Sequence, residues 1–232
     1  RSRRQRQMCI RDSFLSSKSK ILIEMNHDSV KYFKNFSKIN NVYLLLGSIP
    51  ITENDKLFNR SILINPDGDI ISIYDKIHMF DITLKNGESY KESDFYSPGS
   101  ELKITKVLGH SVGHTICYDL RYPKLYRALA KKGSQIIVVP SAFTHTTGKA
   151  HWHSLIKARA IENGVFILAP NQWGVNNEKR VTYGHTLIVD PWGETLAEAE
   201  DGEMIITAEL DLNRVRECQN AIPVLDNDRN FD

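Results

Sequence analysis

The sequence has 232 residues, of which 41% are hydrophobic and 25% are charged, a composition typical of a globular domain large enough to bury a sizeable core. It contains no run of about 18 apolar residues that could span a membrane, no apolar start typical of a secretory signal, and only three widely spaced cysteines, which argue against a disulfide framework. The formal net charge of +2 carries no strongly basic footprint, so we expect a cytoplasmic protein without nucleic-acid or membrane partners.

The chain begins with a basic stretch that differs from the rest. Residues 1–12 carry five Arg and one Asp, a net charge of +4 that leaves the remainder at −2. A basic arm could bind RNA, but "RQRQMCIRDS" resembles the peptide encoded by sequencing-adapter read-through. We therefore predict a foreign segment over residues 1–13 and a single domain over residues 14–232.

The first predicted elements are a helix, a strand and a hairpin. Four apolar side chains at helical spacing predict a helix over residues 29–40: Tyr32, Phe33, Phe36 and Ile39. The run "VYLLLGSI" (42–49) predicts a buried strand. Two β-rich runs around Pro66-Asp67-Gly68 predict a hairpin over residues 60–76.

Two strand-then-helix units follow. The strand signal "SVGHTIC" (111–117) precedes a helix predicted over 123–132, which begins with a proline and ends before a glycine. The strand signal "SQIIVVPSA" (134–142) precedes a helix predicted from about 150 to 163, also ended by a glycine. The predicted inward side chains are Leu125, Ala128 and Leu129 in the first helix and Trp152, Leu155, Ile156 and Ala160 in the second.

The last part of the chain carries further strand signals. The runs "VFILAP" (165–170) and "EMIITAELDL" (203–212) predict strands, and residues 184–199 repeat the hairpin pattern around Pro191-Trp192-Gly193. Strands that are apolar throughout are covered on both faces. We therefore predict a layered α/β protein in which helices flank the sheets.

Cys117 stands where a buried strand meets a helix start. Side chains at such an edge are exposed to ligands in α/β proteins, and the positive end of a helix favours the thiolate nucleophile. The backbone N–H of Tyr118 would then point towards a developing oxyanion. The alternative is that Cys117 is a small buried hydrophobe. His114 and His110 are separated from Cys117 by odd numbers of residues, so a local Cys–His pair is not expected.

Several histidines raise the question of a metal site. His151 and His153 could bind an ion together with His145 or His185, but the sequence offers no Cys or carboxylate cluster that completes a ligand set. We therefore predict neither a metal nor a cofactor.

Six sequence blocks occur in the order and spacing of one enzyme family: "YDKIHMFD" (74–81), "GESYKES" (87–93), "ICYDLRYP" (116–123), "PSAFTHTTGKAHW" (140–152), "ARAIENGVFILAPNQ" (158–172) and "YGHTLIVDPWGE" (183–194). From about Phe14 onwards the chain resembles the nitrilase superfamily of carbon–nitrogen hydrolases. Within it, the chain looks most like the amidase branch that contains ω-amidase and deaminated glutathione amidase. The resemblance implies a four-layer αββα sandwich, here without its first strand, helix and strand, and a homodimer or higher homo-oligomer.

The resemblance also implies roles for particular residues. Cys117 matches the nucleophile, Lys76 the lysine of a Glu–Lys–Cys triad, and Glu92 an additional glutamate that positions substrate and catalytic groups. The first triad glutamate is expected just before Phe14, where "CIRDS" stands instead, so we expect the triad to be incomplete. The predicted substrate-binding residues are Tyr118, Ser141, Ala142, Phe143 and Thr144. Lys179 or Arg180 could pair with a substrate carboxylate.

The function that this resemblance implies is hydrolysis of a small carboxylate-bearing amide, such as deaminated glutathione or the ω-amide of a 2-oxo acid. The reaction would pass through a cysteine thioester. Two alternatives stay open. One is N-carbamoyl or nitrile hydrolysis on the same fold, and the other is a catalytically impaired fragment or pseudoenzyme that lacks the triad glutamate.

Overall fold

The structure is a computed structural model that describes residues 24–84, 87, 89–177 and 180–229. The chain divides into two compact units between residues 103 and 104, and their described parts are called the first unit and the second unit. The segment 1–13 and the region around Phe14 lie outside the described residues, so the domain boundaries stay a prediction. No described helix is long and apolar enough to cross a membrane.

The first unit is built on a three-stranded antiparallel sheet with the order β1-β2-β3. A short hairpin of two further strands follows the sheet and leads into a 3-10 turn at Glu92–Asp94. The elements are α1 (Asp28–Asn40), β1 (Leu44–Glu53), β2 (Lys56–Ile64), β3 (Ile70–Asp75), β4 (Asp81–Thr83) and β5 (Ser89–Lys91).

Helix α1 packs with β1 and β2 in one hydrophobic cluster. The buried side chains of the helix are Val30, Phe33 and Ser37. Two of the four apolar residues at helical spacing, Tyr32 and Ile39, do not face the core, since these side chains are 58% and 73% exposed. The buried face of the helix includes Ser37 instead. The Ser37 hydroxyl donates to the carbonyl oxygen of Asn65, which follows the first strand of the hairpin, at 2.8 Å. The prediction used only the spacing of apolar residues, so it could not place the polar Ser37 on the inner face of the helix.

The turn between β2 and β3 is the predicted one. The Asn65 Oδ1 atom accepts hydrogen bonds from the N–H groups of Asp67 and Asp69 at 3.1 and 2.8 Å. Gly68 has a φ of +84°, and a Cβ atom there would lie 2.9 Å from the carbonyl oxygen of Lys34 in α1. Glycine is therefore required both by the left-handed backbone and by the close approach of the helix.

The second unit contains a six-stranded mixed sheet with the order β13-β12-β9-β8-β7-β6. Its centre, β7-β8-β9, is parallel, and the flanking pairs are antiparallel. The elements are β6 (Ile104–Val107), β7 (His110–His114), α2 (Pro123–Lys131), β8 (Ile136–Val138), α3 (His145–Asn163), β9 (Phe166–Ala169), β10 (Trp173–Asn177), β11 (Arg180–Tyr183), β12 (Leu187–Val189), β13 (Thr195–Glu198) and α4 (Asn213–Ala221). Strands β10 and β11 form a separate antiparallel hairpin.

Helices α2 and α3 connect the central parallel strands, as the strand-then-helix pattern predicts. In α2, Leu125 and Leu129 are buried as expected, whereas Ala128 is partly exposed and Tyr126 is fully buried. Buried positions in α3 are Thr147, Gly148, Trp152, Ile156, Arg159, Ala160 and Asn163, with Leu155 only partly buried. The buried face of each helix is thus wider than the apolar pattern indicates.

Helix α3 begins at His145, earlier than the predicted start near residue 150. The Thr144 hydroxyl caps the helix by accepting from the N–H of Thr147 at 3.4 Å. Gly148, which suggests a loop by its propensity, lies inside the helix against the side chain of Tyr183. A Cβ atom at position 148 would lie 2.3 Å from the Cβ atom of Tyr183, so a close packing contact overrides the propensity.

Gly148→Ala is therefore expected to destabilise the protein, although alanine is the better helix former by about 1 kcal/mol. Overpacking against the base of a fixed side chain costs about 1–3 kcal/mol, and the clash involves Tyr183 atoms close to the backbone, which cannot rotate away. The free energy of unfolding in urea measures the effect. The double variant Gly148→Ala/Tyr183→Gly removes the clashing Cβ atom, so Gly148→Ala should cost less in the Tyr183→Gly background than in the wild type, whereas a more stable Gly148→Ala protein would contradict the contact.

The strand predicted over residues 203–212 is wrong. These residues form no strand in the structure, and Met204 and Ile205 are 47% and 52% exposed. A strand needs a hydrogen-bonded neighbour, and no described strand pairs with this segment. The following helix α4, which was not predicted, contributes the side chain of Gln219, whose Nε2 atom donates to the carbonyl oxygens of Asn163 and Gly164 at the end of α3 (3.1 and 3.2 Å).

Candidate active site

Cys117 opens a 3-10 turn, Cys117–Arg121, that lies between β7 and α2. The strand itself ends at His114, so the prediction that Cys117 is the last strand residue is wrong, while its place between strand and helix is confirmed. Its φ is +48°, a left-handed conformation that residues other than glycine rarely adopt. Such strain persists only where the surroundings impose it, and it is concentrated at functional sites.

Hydrogen bonds hold the strained turn in place. The N–H of Cys117 donates to the carbonyl oxygen of Pro140 at 2.9 Å. The fully buried Asp119 carboxylate accepts from the N–H of Ile116 at 2.9 Å. From α3, the buried Arg159 donates through Nε to the carbonyl oxygen of Leu120 at 2.9 Å. The sequence interpretation gave no role to Asp119 or Arg159, although Asp side chains commonly hydrogen-bond to backbone groups a few residues away in turns.

Asp119→Ala is expected to lower the free energy of unfolding by about 1–3 kcal/mol, because it leaves the buried N–H of Ile116 without this acceptor. Asp119→Asn keeps an oxygen at the same place and should lose less. Urea denaturation of both variants tests the difference, with Asp94→Ala, an exposed carboxylate in a loose pair with Lys91, as the matched control. Equal stability of the Ala and Asn variants would contradict this role of the carboxylate.

The predicted substrate-binding segment 141–144 directly follows Pro140 and is buried. The Ser141 hydroxyl donates to the carbonyl oxygen of Val139 at 3.0 Å, and the Thr144 hydroxyl caps α3. The Phe143 ring packs on Trp152 with centroids 4.8 Å apart. Any contact of Ser141 or Thr144 with a substrate must therefore compete with hydrogen bonds that the fold already uses.

Asn171 organises the same edge of the sheet and was missed by the sequence interpretation. Its Oδ1 atom accepts from the N–H of Phe143 at 3.0 Å, and its Nδ2 atom donates to the carbonyl oxygen of Gly184 at 2.6 Å. Cys117, Ser141 and Asn171 follow β7, β8 and β9, three neighbouring parallel strands. The available signal was this repetition, a polar side chain just past each apolar strand, at the edge where α/β proteins bind ligands.

The second unit also contains Tyr118, a predicted substrate-binding residue, and His114, which was not expected to pair with Cys117. Tyr118 is partly buried, and its ring meets that of Tyr122 edge-on with centroids 5.5 Å apart. The His114 Nε2 atom lies 3.1 Å from Thr105 Oγ1 on the neighbouring strand, which gives this histidine a structural partner. Lys179 lies outside the described residues, and only the backbone of Arg180 is described.

Lys76 and Glu92 form a buried ion pair in the first unit. The Lys76 Nζ atom lies 2.5 Å from Glu92 Oε2, and the two side chains are 1% and 0% exposed. Lys76 immediately follows β3, and its N–H donates to the carbonyl oxygen of Asn59. These are the two residues that the family resemblance singled out in this half of the chain, and the structure brings their side chains together.

The Glu92 carboxylate has a full set of donors. Oε2 accepts from the N–H of Phe80 at 2.7 Å in addition to Lys76, and Oε1 accepts from Asn59 Nδ2 at 2.9 Å. Burial, together with the nearby negative charge of Glu92, raises the pKa of Tyr96 well above its usual range. Buried charges are tolerated only when they are paired and hydrogen-bonded, so Glu92 is suited to holding the Lys76 ammonium in one position. Asn59 was not singled out in the sequence.

A close backbone approach fixes the position of Lys76. The N–H of Gly99 donates to the carbonyl oxygen of Lys76 at 2.8 Å. A Cβ atom at position 99 would lie 2.3 Å from the carbonyl oxygen of Asp75. Only glycine therefore allows the segment after the 3-10 turn to contact the end of β3.

The second unit also contains a cluster of two histidines and a glutamate to which the sequence analysis assigned no role. His153, His185 and Glu198 offer ligand atoms that all lie within 4.8 Å of one another. The expectation that no carboxylate would join these histidines is wrong, because Glu198 is distant from them in sequence and meets them only through the fold.

The sequence profile of the carbon–nitrogen hydrolase family matches residues 11–220. The chain belongs to this family. The resemblance inferred from the six sequence blocks is thereby confirmed.

Relatives of this carbon–nitrogen hydrolase support the same assignment. The chain is 40% identical over 192 residues to the deaminated glutathione amidase of Yersinia enterocolitica, covering 81% of the chain and 67% of that protein. It is 36% identical over 197 residues to omega-amidase NIT2 of Xenopus tropicalis, covering 85% and 71%. It spans 43% of the length of the related NitFhit fusion protein of Drosophila melanogaster.

Solved structures agree with the fold of this carbon–nitrogen hydrolase. The crystal structure of the C. elegans NitFhit protein matches with a TM-score of 0.83 and 33% identity, covering 88% of the chain and 51% of that protein. This similarity confirms the predicted α/β fold of the nitrilase type. The predicted loss of the first strand, helix and strand stays a prediction.

Proposed function

We propose that this carbon–nitrogen hydrolase is an amidase that uses Cys117 as its nucleophile. The observation that carries the proposal is the strained backbone at Cys117, held by buried hydrogen bonds at the carboxyl end of a parallel strand. A small apolar side chain would not need this conformation. Family membership and the names of the relatives favour amide hydrolysis over other uses of a thiol.

In the proposed reaction, the Cys117 sulfur attacks the amide carbonyl carbon and forms a tetrahedral intermediate. The C–N bond then breaks, the nitrogen leaves as ammonia with a proton from the general base, and a thioester remains. Water hydrolyses the thioester to a carboxylate and restores the thiol. The general base takes the proton of the Cys117 thiol and later passes it to the leaving nitrogen. The family resemblance assigns this role to a glutamate expected just before Phe14, where this sequence has no glutamate.

We assign the stabilisation of the oxyanion to the N–H of Tyr118, next to Cys117 in the chain, and the family resemblance implies a contribution from Lys76. Lys76 supports this role because its ammonium is buried, and charge interactions are stronger where water is excluded. Glu92 acts as a positioning residue that holds the ammonium through its 2.5 Å contact. Segment 141–144 supplies the apolar wall of the substrate pocket through Ala142 and Phe143, since its hydroxyls are engaged elsewhere.

The proposed substrate is a small amide that carries a carboxylate, such as deaminated glutathione or the ω-amide of a 2-oxo acid. The two curated relatives named for these activities support this class. N-carbamoyl hydrolysis and nitrile hydrolysis are the competing reactions, and a pseudoenzyme is the non-catalytic alternative.

A substrate panel tests the proposal. Ammonia release is measured with deaminated glutathione, a 2-oxo acid ω-amide, an N-carbamoyl amino acid and an aliphatic nitrile, each with the full-length gene product and with its Cys117→Ala variant. We expect release from the amides alone, and only with Cys117 present. Turnover of the carbamoyl compound or nitrile instead would select the competing reaction, and turnover without Cys117 would overturn the mechanism.

A further inference from the structure

Three elements of the second unit bring two imidazoles and a carboxylate together. His153 lies on α3, His185 lies between β11 and β12, and Glu198 ends β13. The Glu198 Oε1 atom lies 2.8 Å from His153 Nε2 and 3.0 Å from His185 Nδ1. Neither the proposed amidase reaction nor the family resemblance uses this cluster.

We propose that His153, His185 and Glu198 form a binding site for a divalent transition-metal ion such as Zn²⁺. Two imidazole nitrogens and a carboxylate oxygen are a ligand set that such ions prefer. The ion would take the place of the imidazole protons that face Glu198, and these protons would move to the outer ring nitrogens or to solvent. Water would complete the coordination.

His185 has a second carboxylate as a neighbour. Its second nitrogen, Nε2, lies 3.8 Å from the Asp201 carboxylate, and the indole N–H of Trp173 donates to the same Asp201 oxygen at 3.2 Å. At 3.8 Å Asp201 lies within ion-pair range of the imidazole but beyond hydrogen-bonding distance, and its side chain is 79% exposed. It therefore adds negative charge beside His185 and orients the ring only weakly.

The imidazole rings are also held by packing. The Tyr183 ring lies against His185 with centroids 4.4 Å apart and meets His153 edge-on at 6.0 Å. The indole N–H of Trp152 donates to the backbone carbonyl oxygen of His185 at 2.7 Å. Preorganised ligands lose little entropy on binding, which distinguishes this cluster from three mobile surface side chains.

The geometry of the cluster suits a cation. Both imidazoles approach the same oxygen of Glu198, Oε1. An ion at this place would therefore meet a carboxylate oxygen and two ring nitrogens. His153 and His185 are each about one-third exposed or less (34% and 26%), so an ion has access from solvent.

Zinc binding to the full chain tests the site, with thiols alkylated by iodoacetamide so that cysteines do not compete. Equilibrium dialysis with metal analysis should find one Zn²⁺ per chain. His153→Ala and Glu198→Gln should each weaken the affinity by at least about 100-fold, whereas Asp201→Asn should change it by less than about 10-fold, because the Asp201 carboxylate is exposed and not hydrogen-bonded to His185. His151→Ala, an exposed histidine on the same helix, is the matched control and should leave the affinity unchanged.

A second measurement follows the ligands directly. Bound Co²⁺ should show the visible absorption of a site with nitrogen and oxygen ligands, and this absorption should disappear in His153→Ala. Circular dichroism of each variant reports whether it folds, and the isosteric Glu198→Gln keeps the test valid if an alanine variant does not. Absence of stoichiometric binding, or equal binding in His151→Ala and in the cluster variants, would overturn the proposal and leave the cluster as an ion-pair network.

Discussion

Replacing Cys117 with alanine is expected to abolish amide hydrolysis, because the thioester cannot form without the sulfur. Removal of a covalent nucleophile costs up to about 10⁶ in kcat in enzymes that depend on one, and we expect a loss of at least about 10³. Cys117→Ser should fall nearly as far, since a hydroxyl is a much weaker nucleophile than a thiolate at neutral pH. Steady-state ammonia release from the full-length gene product measures the change.

Cys218→Ala is the matched control for this prediction. Cys218 is a free, partly exposed cysteine on α4, and burial is the main cause that raises the pKa of its thiol. A raised pKa makes a poorer nucleophile at neutral pH. The control variant should keep wild-type kcat/KM. Rapid inactivation by alkylation of Cys218 alone, with Cys117 unmodified, would contradict the assignment.

Lys76→Ala is expected to lose both activity and stability. Loss of an oxyanion donor costs about 10² to 10³ in rate. The structure adds a second effect that the sequence did not predict, because Glu92 would remain buried without its cation. Breaking a buried pair by removing one partner costs about 3–5 kcal/mol in stability. Amide turnover and urea denaturation measure the two effects separately.

The double variant Lys76→Met/Glu92→Gln separates these effects. It removes both buried charges and keeps similar side-chain volumes, so most of the lost stability should return. Activity should stay at least about 10²-fold below wild type, because no cation replaces the ammonium. Recovery of turnover together with stability would show that Lys76 only supports the fold.

Two further variants sharpen the role of Lys76. Lys76→Arg keeps the charge but replaces a compact ammonium with a wider planar group, so it should rescue little activity in the space beside Glu92 and Asn59. Lys91→Ala is the matched control, because Lys91 is exposed and only loosely paired with Asp94 at 3.8 Å. Near wild-type kcat in Lys76→Arg would reduce the lysine to general electrostatics.

Local chemistry explains what was predicted correctly. The hairpin at residues 65–69 depends on an asparagine, a proline and a glycine that are adjacent in sequence, so its turn was predictable. The central strands and helices follow from apolar runs bounded by proline and glycine. The roles expected of Lys76 and Glu92 came from motif order alone, whereas that of Cys117 also rested on its place between a strand and a helix. These roles stay predictions, with which the ion pair of Lys76 and Glu92 is consistent.

Contacts between distant residues explain what was missed. The early start of α3 depends on Thr144 and on the space that Gly148 leaves for Tyr183. The absent strand at 203–212 reflects the lack of a described pairing partner, which apolar alternation cannot reveal.

The sequence by itself determined the family and the α/β class, and it named the candidate site residues, because these depend on residue order and local periodicity. Only the tertiary structure decided how those side chains are held. The turn at Cys117 depends on Asp119 and Arg159. The proposed metal site depends on the approach of Glu198 to His153 and His185, which lie on other parts of the fold. Such contacts join groups far apart in the chain, and no local pattern encodes them because they arise only when the backbone has folded.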